Sequence, residues 1–454
     1  MAINTTYDPA TTAQALAQAF TAGRQSLLTR QSDAATATEK GLTALSSALS
    51  TFQTSLLGLT GSNKTITANS AVFSDTAIAS ASASATAAAG TYTFFVEQVA
   101  SAHKISYSGL TDFAGGGSLT LGSGSNSFTL DLSTKANWTV RDLAAAINGD
   151  TKNTSISASV VTTSTGVSEL VLTAKATGEA NAITVTPSGA TSGIDAKLAA
   201  KLGAAPNELT EALDAIVHVG SEAGTPIKQA SNAFNVIDGV TMTVTKAQAS
   251  GSSPVTLTVA SDTSKTTANA QAFVDAYNKL KSAVDALVSP GDPTGGSAAG
   301  AFAGDSGVRA LRDRLVSIVR NTGGTTLASF GIIANRDGTL GVDNTRLTKA
   351  LAANPTGLDT LIGSTATGSA SGIAGQLDAY LDLWSDSAKG QIQSRRDAVS
   401  KLQIDLTSRQ TTLDKQYDSA YARYLAQFTQ LQTVQSNMSY NTSLFDALFS
   451  SDKD

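Results

Sequence analysis

A few short groups of residues in this 454-residue chain have the types and spacing that chemistry requires. Gly304-Asp305-Ser306-Gly307 has the order of a serine-protease nucleophile tetrapeptide, and His103 follows an alanine as the base of such enzymes does. A working triad needs the serine beside a base, a carboxylate to orient that base, and an oxyanion hole. Here Val308-Arg309 follows in place of a further glycine and proline, and the serine falls where a helix begins. A helix N-cap at Asp305 or Ser306 accounts for both residues without catalysis. Asp378, Asp382 and Asp386 stand at i, i+4 and i+8, which puts three carboxylates on one helix face. Carboxylates a turn apart on one helix lack the loop oxygens that complete a calcium shell, so a solvated or partner-facing acidic stripe is expected. His103 and His218 lie on strand-like segments with no carboxylate or second histidine at ligand spacing, and read as ordinary partly buried histidines. Gly115-Gly116-Gly117 has neither the lysine nor the following helix of a phosphate loop. The pattern requires no catalytic residue, no cofactor and no metal.

The stronger signal lies in the two ends. Leu42, Leu45, Leu49, Phe52, Leu56 and Leu59 recur at alternating intervals of three and four. A similar rhythm runs through Ile392, Val399, Leu402, Leu406 and Leu413, then Tyr417, Tyr421, Tyr424, Phe428 and Leu431. Such spacing keeps one seam of a helix apolar for knobs-into-holes packing. No proline follows Pro355, and Gly390 is the only glycine between Ser387 and Asp454, so one helix of about 50 residues is expected there. Burying each large side chain stabilises by about 1.5–3 kcal/mol, while ordering each backbone residue costs about 1–2 kcal/mol. A lone helix with one dry face therefore does not hold by itself. The stripes need partners: each other, and beyond that the stripes of neighbouring subunits. Leu16, Phe20, Leu42, Leu45, Leu49, Phe52, Tyr417, Tyr421, Tyr424, Phe428 and Leu431 are the expected contact residues.

Composition narrows the class. Apolar residues make up 41% of the chain, enough for real cores, but charged residues only 15%, with a formal net charge of −5. With no concentrated basic patch, nucleic acid is an unsuitable partner. Cysteine is absent, which excludes disulfides and thiolate metal sites. The start has no basic, then apolar, leader, and no run of about 18 apolar residues offers a membrane span. A cytoplasmic protein, or one exported without a cleaved signal, is expected.

Between the ends the period changes from 3.6 to two. Residues 10–60 read as helix, and strands follow from about Asn69. Tyr92, Phe94 and Val96 alternate with polar neighbours, and Leu119 and Leu121 face Phe128 and Leu130 across a Gly-Ser-rich turn. Thr139 to Asp142 fits a capping box before a short helix. Later helices carry Phe273, Tyr277, Leu280, Val284 and Leu287, then Val308, Leu311, Leu315 and Ile318. Asp337-Gly338 is a hairpin turn, with Asp343 capping the helix after it. The fold class expected is α+β and multidomain: terminal coiled-coil helices form a stalk or leg, and antiparallel β-rich head domains are inserted between them, giving an elongated molecule.

In numbers, 1–42 is expected to be a mobile N-terminal leg helix and 43–68 a stalk helix. Residues 69–108 begin an outer head domain, 109–230 form an inner one, and 231–262 supply the outer domain's return strands. Residues 263–420 form a helical stalk domain with a β-hairpin at 325–343, and 421–454 a mobile C-terminal leg helix. In the outer domain the Tyr92 strand is expected to pair with both the Val240 and the Val255 strands.

Several strings, in order, carry a resemblance. Gly90-Thr91-Tyr92-Thr93-Phe94-Phe95-Val96-Glu97-Gln98-Val99-Ala100 resembles a signature strand of the flagellar filament-capping (hook-associated protein 2) family. Ser231-Asn232 leading to Ile237-Asp238-Gly239-Val240-Thr241 is similar to its return strand. Phe273-Val274-Asp275-Ala276-Tyr277-Asn278-Lys279-Leu280 looks like one of its helices, and Phe330-Gly331-Ile332 with Asp337-Gly338-Thr339-Leu340 and Asp343 resembles its hairpin. The resemblance implies a structural protein, exported unfolded through the flagellar type III apparatus with a cytoplasmic chaperone. It implies a homo-oligomeric ring on the filament tip, outside the cell, next to flagellin and downstream of the hook–filament junction protein. Such a ring retains flagellin and promotes its folding and insertion, and its exposed head can adhere to surfaces as a second role. Another axial flagellar protein would share the helical ends but lack the motifs at Asn232 and Phe273. A surface adhesin would explain the β head but needs a signal or anchor.

Overall fold

The computed structural model describes residues 8–164, 167–188, 193–292, 294–320, 324 and 326–450. Two compact units emerge: Thr67–Thr266, and Met1–Ile66 together with Thr267–Asp454. The helices in chain order are α1 (Pro9–Thr60), α2 (Val140–Gly149), α3 (Ala196–Leu202), α4 (Thr263–Val288), α5 (Ser306–Arg320), α6 (Asn344–Ala353), α7 (Gly357–Ile362), α8 (Gly372–Ser385) and α9 (Gln391–Ser450).

The helical unit is organised by its two long members. Asp8 caps α1 by accepting the Ala10 and Thr11 amides, and Pro9 sits in the first turn, where its missing N–H costs nothing. From there α1 runs unbroken to Thr60, and α9 crosses position 420 without interruption. The expected divisions at 42/43 and 420/421 are therefore not breaks in helix. Nothing in either stretch, neither proline nor a left-handed residue, would stop the hydrogen-bond ladder. The first seven and last four residues of the expected legs lie outside the described residues, as does Thr325 of the expected hairpin segment.

Leu42, Leu45, Leu49, Phe52 and Leu56 of α1 are buried with Phe273, Tyr277, Leu280 and Val284 of α4, and with Leu311 and Leu315 of α5, in one core. Gly41 is the close approach in that core. A Cβ there would lie 2.7 Å from Ala301 Cβ and 3.0 Å from the Phe302 ring, so a larger residue would push the segment away. The hairpin pairing Ile332–Ala334 with Leu340–Val342 is tied to α4 by side chains that imitate backbone. Asn278 donates to Leu340 O and accepts from Leu340 N, both at 2.7 Å, and Tyr277 donates its hydroxyl to Gly338 O at 3.1 Å.

The β unit holds several antiparallel sheets. The largest has the order Asn69–Phe73, Val255–Ser261, Gly90–Gln98, Ala215–Val219, Thr225–Gln229. A four-stranded sheet orders Asn207–Thr210, Ala102–Leu110, Val167–Thr177 and Ile156–Ser164. The expected Leu121–Phe128 hairpin is present, with Ile183–Pro187 on its other side. The capping box of Thr139 and Asp142 closes as read, and Leu143 and Ile147 of α2 are buried beneath it. Two expectations are corrected. The Val240 strand pairs with Ala79–Ala83 and Ala233–Ile237, while the strands flanking Tyr92 start at Val255 and Ala215. The expected inner segment 109–230 also starts too late and ends too late. Ala102–Leu110 already belongs to the four-stranded sheet, and Ala215–Val219 with Thr225–Gln229 belong to the Tyr92 sheet. Between these sheets Asn232 grips Ala100, donating to its carbonyl at 2.9 Å and accepting its amide at 2.7 Å.

Candidate assembly interface of the terminal helices

The protease-like tetrapeptide is structural. Asp305 Oδ1 accepts the Val308 amide at 2.9 Å and caps α5, and Arg395 of α9 forks onto the same carboxylate, one arm at 3.1 Å. The guanidinium beside Asp305 holds its carboxyl below the usual range. The other half of the protease pattern, His103, lies in the other unit and is bonded to Ile183 N and Glu208. In the acidic stripe, Asp382 accepts from Gln53 of α1 at 2.8 Å, and burial with the neighbouring Asp382 charge raises the Asp378 carboxyl. Among the described residues no group of three or more metal-ligating side chains converges, and no helix is long and apolar enough to cross a membrane.

The surface with the means to act is the α1–α9 pair. Gln25 and Gln410 exchange amide hydrogen bonds at 2.9 and 3.0 Å, and Arg24 donates to Gln416 at 2.5 Å. Glu39 lies 3.8 Å from Arg396 further along. Partner numbers fall on α9 as they rise on α1, so the helices run antiparallel. The seam has two halves. Toward Thr60 it joins Leu42 and Leu45 of α1 to the core that holds Ile392, Val399 and Leu406 of α9. Toward Pro9 it is built of Ala13, Ala17 and Thr21, all buried. On α9 the buried positions are Ile392, Val399, Leu406, Leu413 and Ala420, spaced seven apart. Leu413 and Tyr417 of α9 lie beside Thr21 and Gln25 in this half, so large α9 side chains meet small α1 ones.

That arrangement sorts the expected contact residues. Leu42, Leu45, Leu49 and Phe52 are used up in the chain's own core and have no surface left for a neighbour. Leu16 and Phe20 sit beside the small-residue seam and are 40% and 49% exposed, with the Arg24 guanidinium 5.9 Å over the Phe20 ring. Tyr417, Tyr421, Tyr424 and Phe428 are half-buried, and Tyr417 and Tyr421 stack in parallel with centroids 6.4 Å apart. Leu431 is 44% exposed, and every described residue from Thr429 to Leu448 is exposed. Sequence reading missed Ala13, Ala17, Thr21 and Ala420. Their four- and seven-residue spacing was available, but a search for large apolar side chains passes over alanine.

The sequence signature described as "Flagellar hook-associated protein 2 C-terminus" matches residues 212–440, about half of the chain. The corresponding "N-terminus" signature matches 5–103, and a "Flagellin hook IN motif" matches 118–176. The "Lateral flagellar hook-associated protein 2" of Vibrio parahaemolyticus is 31% identical over 370 residues, covering 79% of this chain and 81% of that one. The chain belongs to the flagellar hook-associated protein 2 family. A second member of the family, the "B-type flagellar hook-associated protein 2" of Pseudomonas aeruginosa, is 31% identical over 86% of this chain and 85% of its own. Among solved structures, the D1-D2-D3 domains of the flagellar cap protein FliD from Escherichia coli superpose with a TM-score of 0.60 at 27% identity. They cover 79% of this chain and 99% of that one. The family assignment makes the chain a structural component of the flagellar cap, and the terminal helices with antiparallel sheets between them are the family's architecture.

Proposed function

We propose that the chain works as a homo-oligomeric ring on the distal, extracellular end of the filament, where it retains exported flagellin and promotes its folding and insertion. The observation that carries this reading is the α1–α9 pair, on which Leu16, Phe20 and Leu431 stay exposed outside the buried seam. Copies of the chain meet through these residues together with Tyr417, Tyr421, Tyr424 and Phe428. Leu16, Phe20 and Leu431 are 40–49% exposed, so burying each between copies contributes roughly half of the ~1.5–3 kcal/mol of full burial, and several such contacts around a ring reinforce one another. Contacts of that size hold collectively and release singly, which suits legs that rebind as the filament lengthens.

The action is mechanical and steric. No bond is made or broken, and neither cofactor nor metal takes part. The partners of this reading are the chain itself, flagellin, the hook–filament junction protein, a cytoplasmic export chaperone and the flagellar type III export apparatus, with no nucleic acid and no membrane insertion. Absence of cysteine suits threading through a narrow channel.

Purified full-length protein and its Phe20→Ser, Leu431→Ser double variant test the contact surface. Negative-stain images of the wild type are expected to show rings of one symmetry. The variant is expected to stay monomeric with an unchanged melting curve, because both side chains are exposed in the single chain. Rings of unchanged size and abundance from the variant would contradict the assignment.

A further inference from the structure

The two histidines of the β unit are bonded in opposite senses. On His103, Nδ1 accepts the Ile183 amide at 2.7 Å and Nε2 lies 3.2 Å from Glu208 Oε1. A ring nitrogen that accepts carries no proton, so this imidazole is the neutral tautomer with its hydrogen on Nε2. On His218, Nε2 lies 2.5 Å from Glu97 Oε2 and Nδ1 lies 3.0 Å from the Gly224 carbonyl. A carbonyl oxygen and an ionised carboxylate only accept, so both bonds exist together only when the ring is doubly protonated.

The local backbone is arranged to give this result. Ile216 faces Gln98 and Val217 faces Val96, so Glu97 is an extra residue in a β-bulge, the device that re-aims a side chain out of the regular alternation. Gly224 closes the loop between Ala215–Val219 and Thr225–Gln229, where a Cβ would come 2.0 Å from Val219 O, so glycine is required for its carbonyl to reach the ring. In the same loop Glu222 accepts from Ser250 Oγ and Gly251 N at 2.7 and 2.8 Å. The charged groups facing the ring are thus Glu97 from the adjacent strand and Glu222 from its own loop. The cross-strand partners Phe95 and Pro226 add none, and the Phe95 ring meets the imidazole edge-on at 6.2 Å.

We propose that His218 is a proton-operated clasp, whose doubly protonated ring ties the outermost hairpin of the five-stranded sheet to the strand beside it through Glu97 and closes the hairpin's own loop through Gly224. Loss of one proton removes one of the two ties and loosens the hairpin. Thr225–Gln229 is the edge strand, where a sheet can accept an added strand, so the clasp sets whether that rim is fixed or adjustable. Its bond to Glu97 first, then that to Gly224, raises the imidazole above its ordinary value, with burial opposing. A folded-state value above the unfolded one means the tie is fully present below about pH 6.5 and is lost as pH rises through the folded value.

The test uses the full chain, with ¹⁵N-labelled histidines followed by NMR across pH 5–9 and hydrogen exchange of the 216–229 amides corrected for intrinsic rate. The wild type is expected to keep both His218 nitrogens protonated to a higher pH than Glu97→Gln does. Exchange in the hairpin should rise about threefold or more as the ring deprotonates. In His218→Gln the corrected exchange should be independent of pH. Glu97 is half-exposed, so its variant folds, and an unchanged thermal melt checks that it does. Titration of His218 at or below the value of a free histidine, or hairpin exchange in the wild type that does not follow the ring, would overturn the proposal.

Discussion

Arg395 on α9 grips the carboxylate of Asp305 while its guanidinium lies 5.5 Å over the Trp384 ring of α8. Asp305 in turn caps α5, so one arginine fastens three helices. The aspartate of the protease-like tetrapeptide is therefore a structural clasp. Asp305→Ala removes the cap and the pair together and is expected to destabilise the helical unit by about 1–3 kcal/mol. Ser306→Ala, at an exposed position that does no capping, is expected to change stability by less than about 0.5 kcal/mol and to leave motility intact. Urea denaturation of the two variants measures both.

The same carboxylate gives a pH dependence with a defined sign. Its folded-state value is lowered, so its contribution is present above about pH 4 and is lost as pH falls through the folded value. The stability gap between the wild type and Asp305→Asn should therefore shrink as the pH falls through the folded-state value of this carboxyl, and remain open at pH 7. Denaturation midpoints followed from pH 7 into acid check this.

Asn278 completes a two-bond pair with Leu340 that no aspartate can reproduce, because a carboxylate cannot donate to the Leu340 carbonyl. Asn278→Asp is expected to cost about 1–3 kcal/mol. Tyr277→Phe, which leaves the Gly338 carbonyl without its donor, should cost about 0.5–1.5 kcal/mol. Thermal melts of the two variants, followed by helical circular dichroism, rank them.

The small-residue seam separates folding from assembly. Ala17 is buried where α1 meets α9, so Ala17→Leu is expected to cost about 1–3 kcal/mol by overpacking. Leu16 is exposed one position earlier, and Leu16→Ala should leave the monomer within about 0.5 kcal/mol of wild type while weakening oligomers. Melting temperature and sedimentation of the same two samples read the two effects.

Much of the helical unit was legible because its stripes of leucine and phenylalanine follow the helical period closely, from Leu42 to Leu56 and from Phe273 to Val284. The alanine positions of α1 were not, since Ala13 and Ala17 are buried without leaving a large apolar mark in the sequence. Strand order failed for a different reason. Alternation at Val240 identifies a strand and its buried face but not its neighbour, and its partner at Ala79 is an Ala-Ser run with little periodic contrast. The contacts of His103 and His218 were hidden for the same cause, because Glu208 and Glu97 are brought to them by sheet pairing over more than a hundred residues of sequence. The motif asparagines were recognised as strings, while their work as substitutes for backbone, Asn232 on Ala100 and Asn278 on Leu340, needed the fold.

This chain is a component of the flagellar cap, and we propose that it holds flagellin on the growing filament. Deleting its gene, with flagellin in the culture medium measured alongside electron microscopy of the cells, tests it most directly. Non-motile cells with hooks lacking filaments, and flagellin monomers released into the medium, are expected. Motile cells carrying filaments of normal length would contradict it.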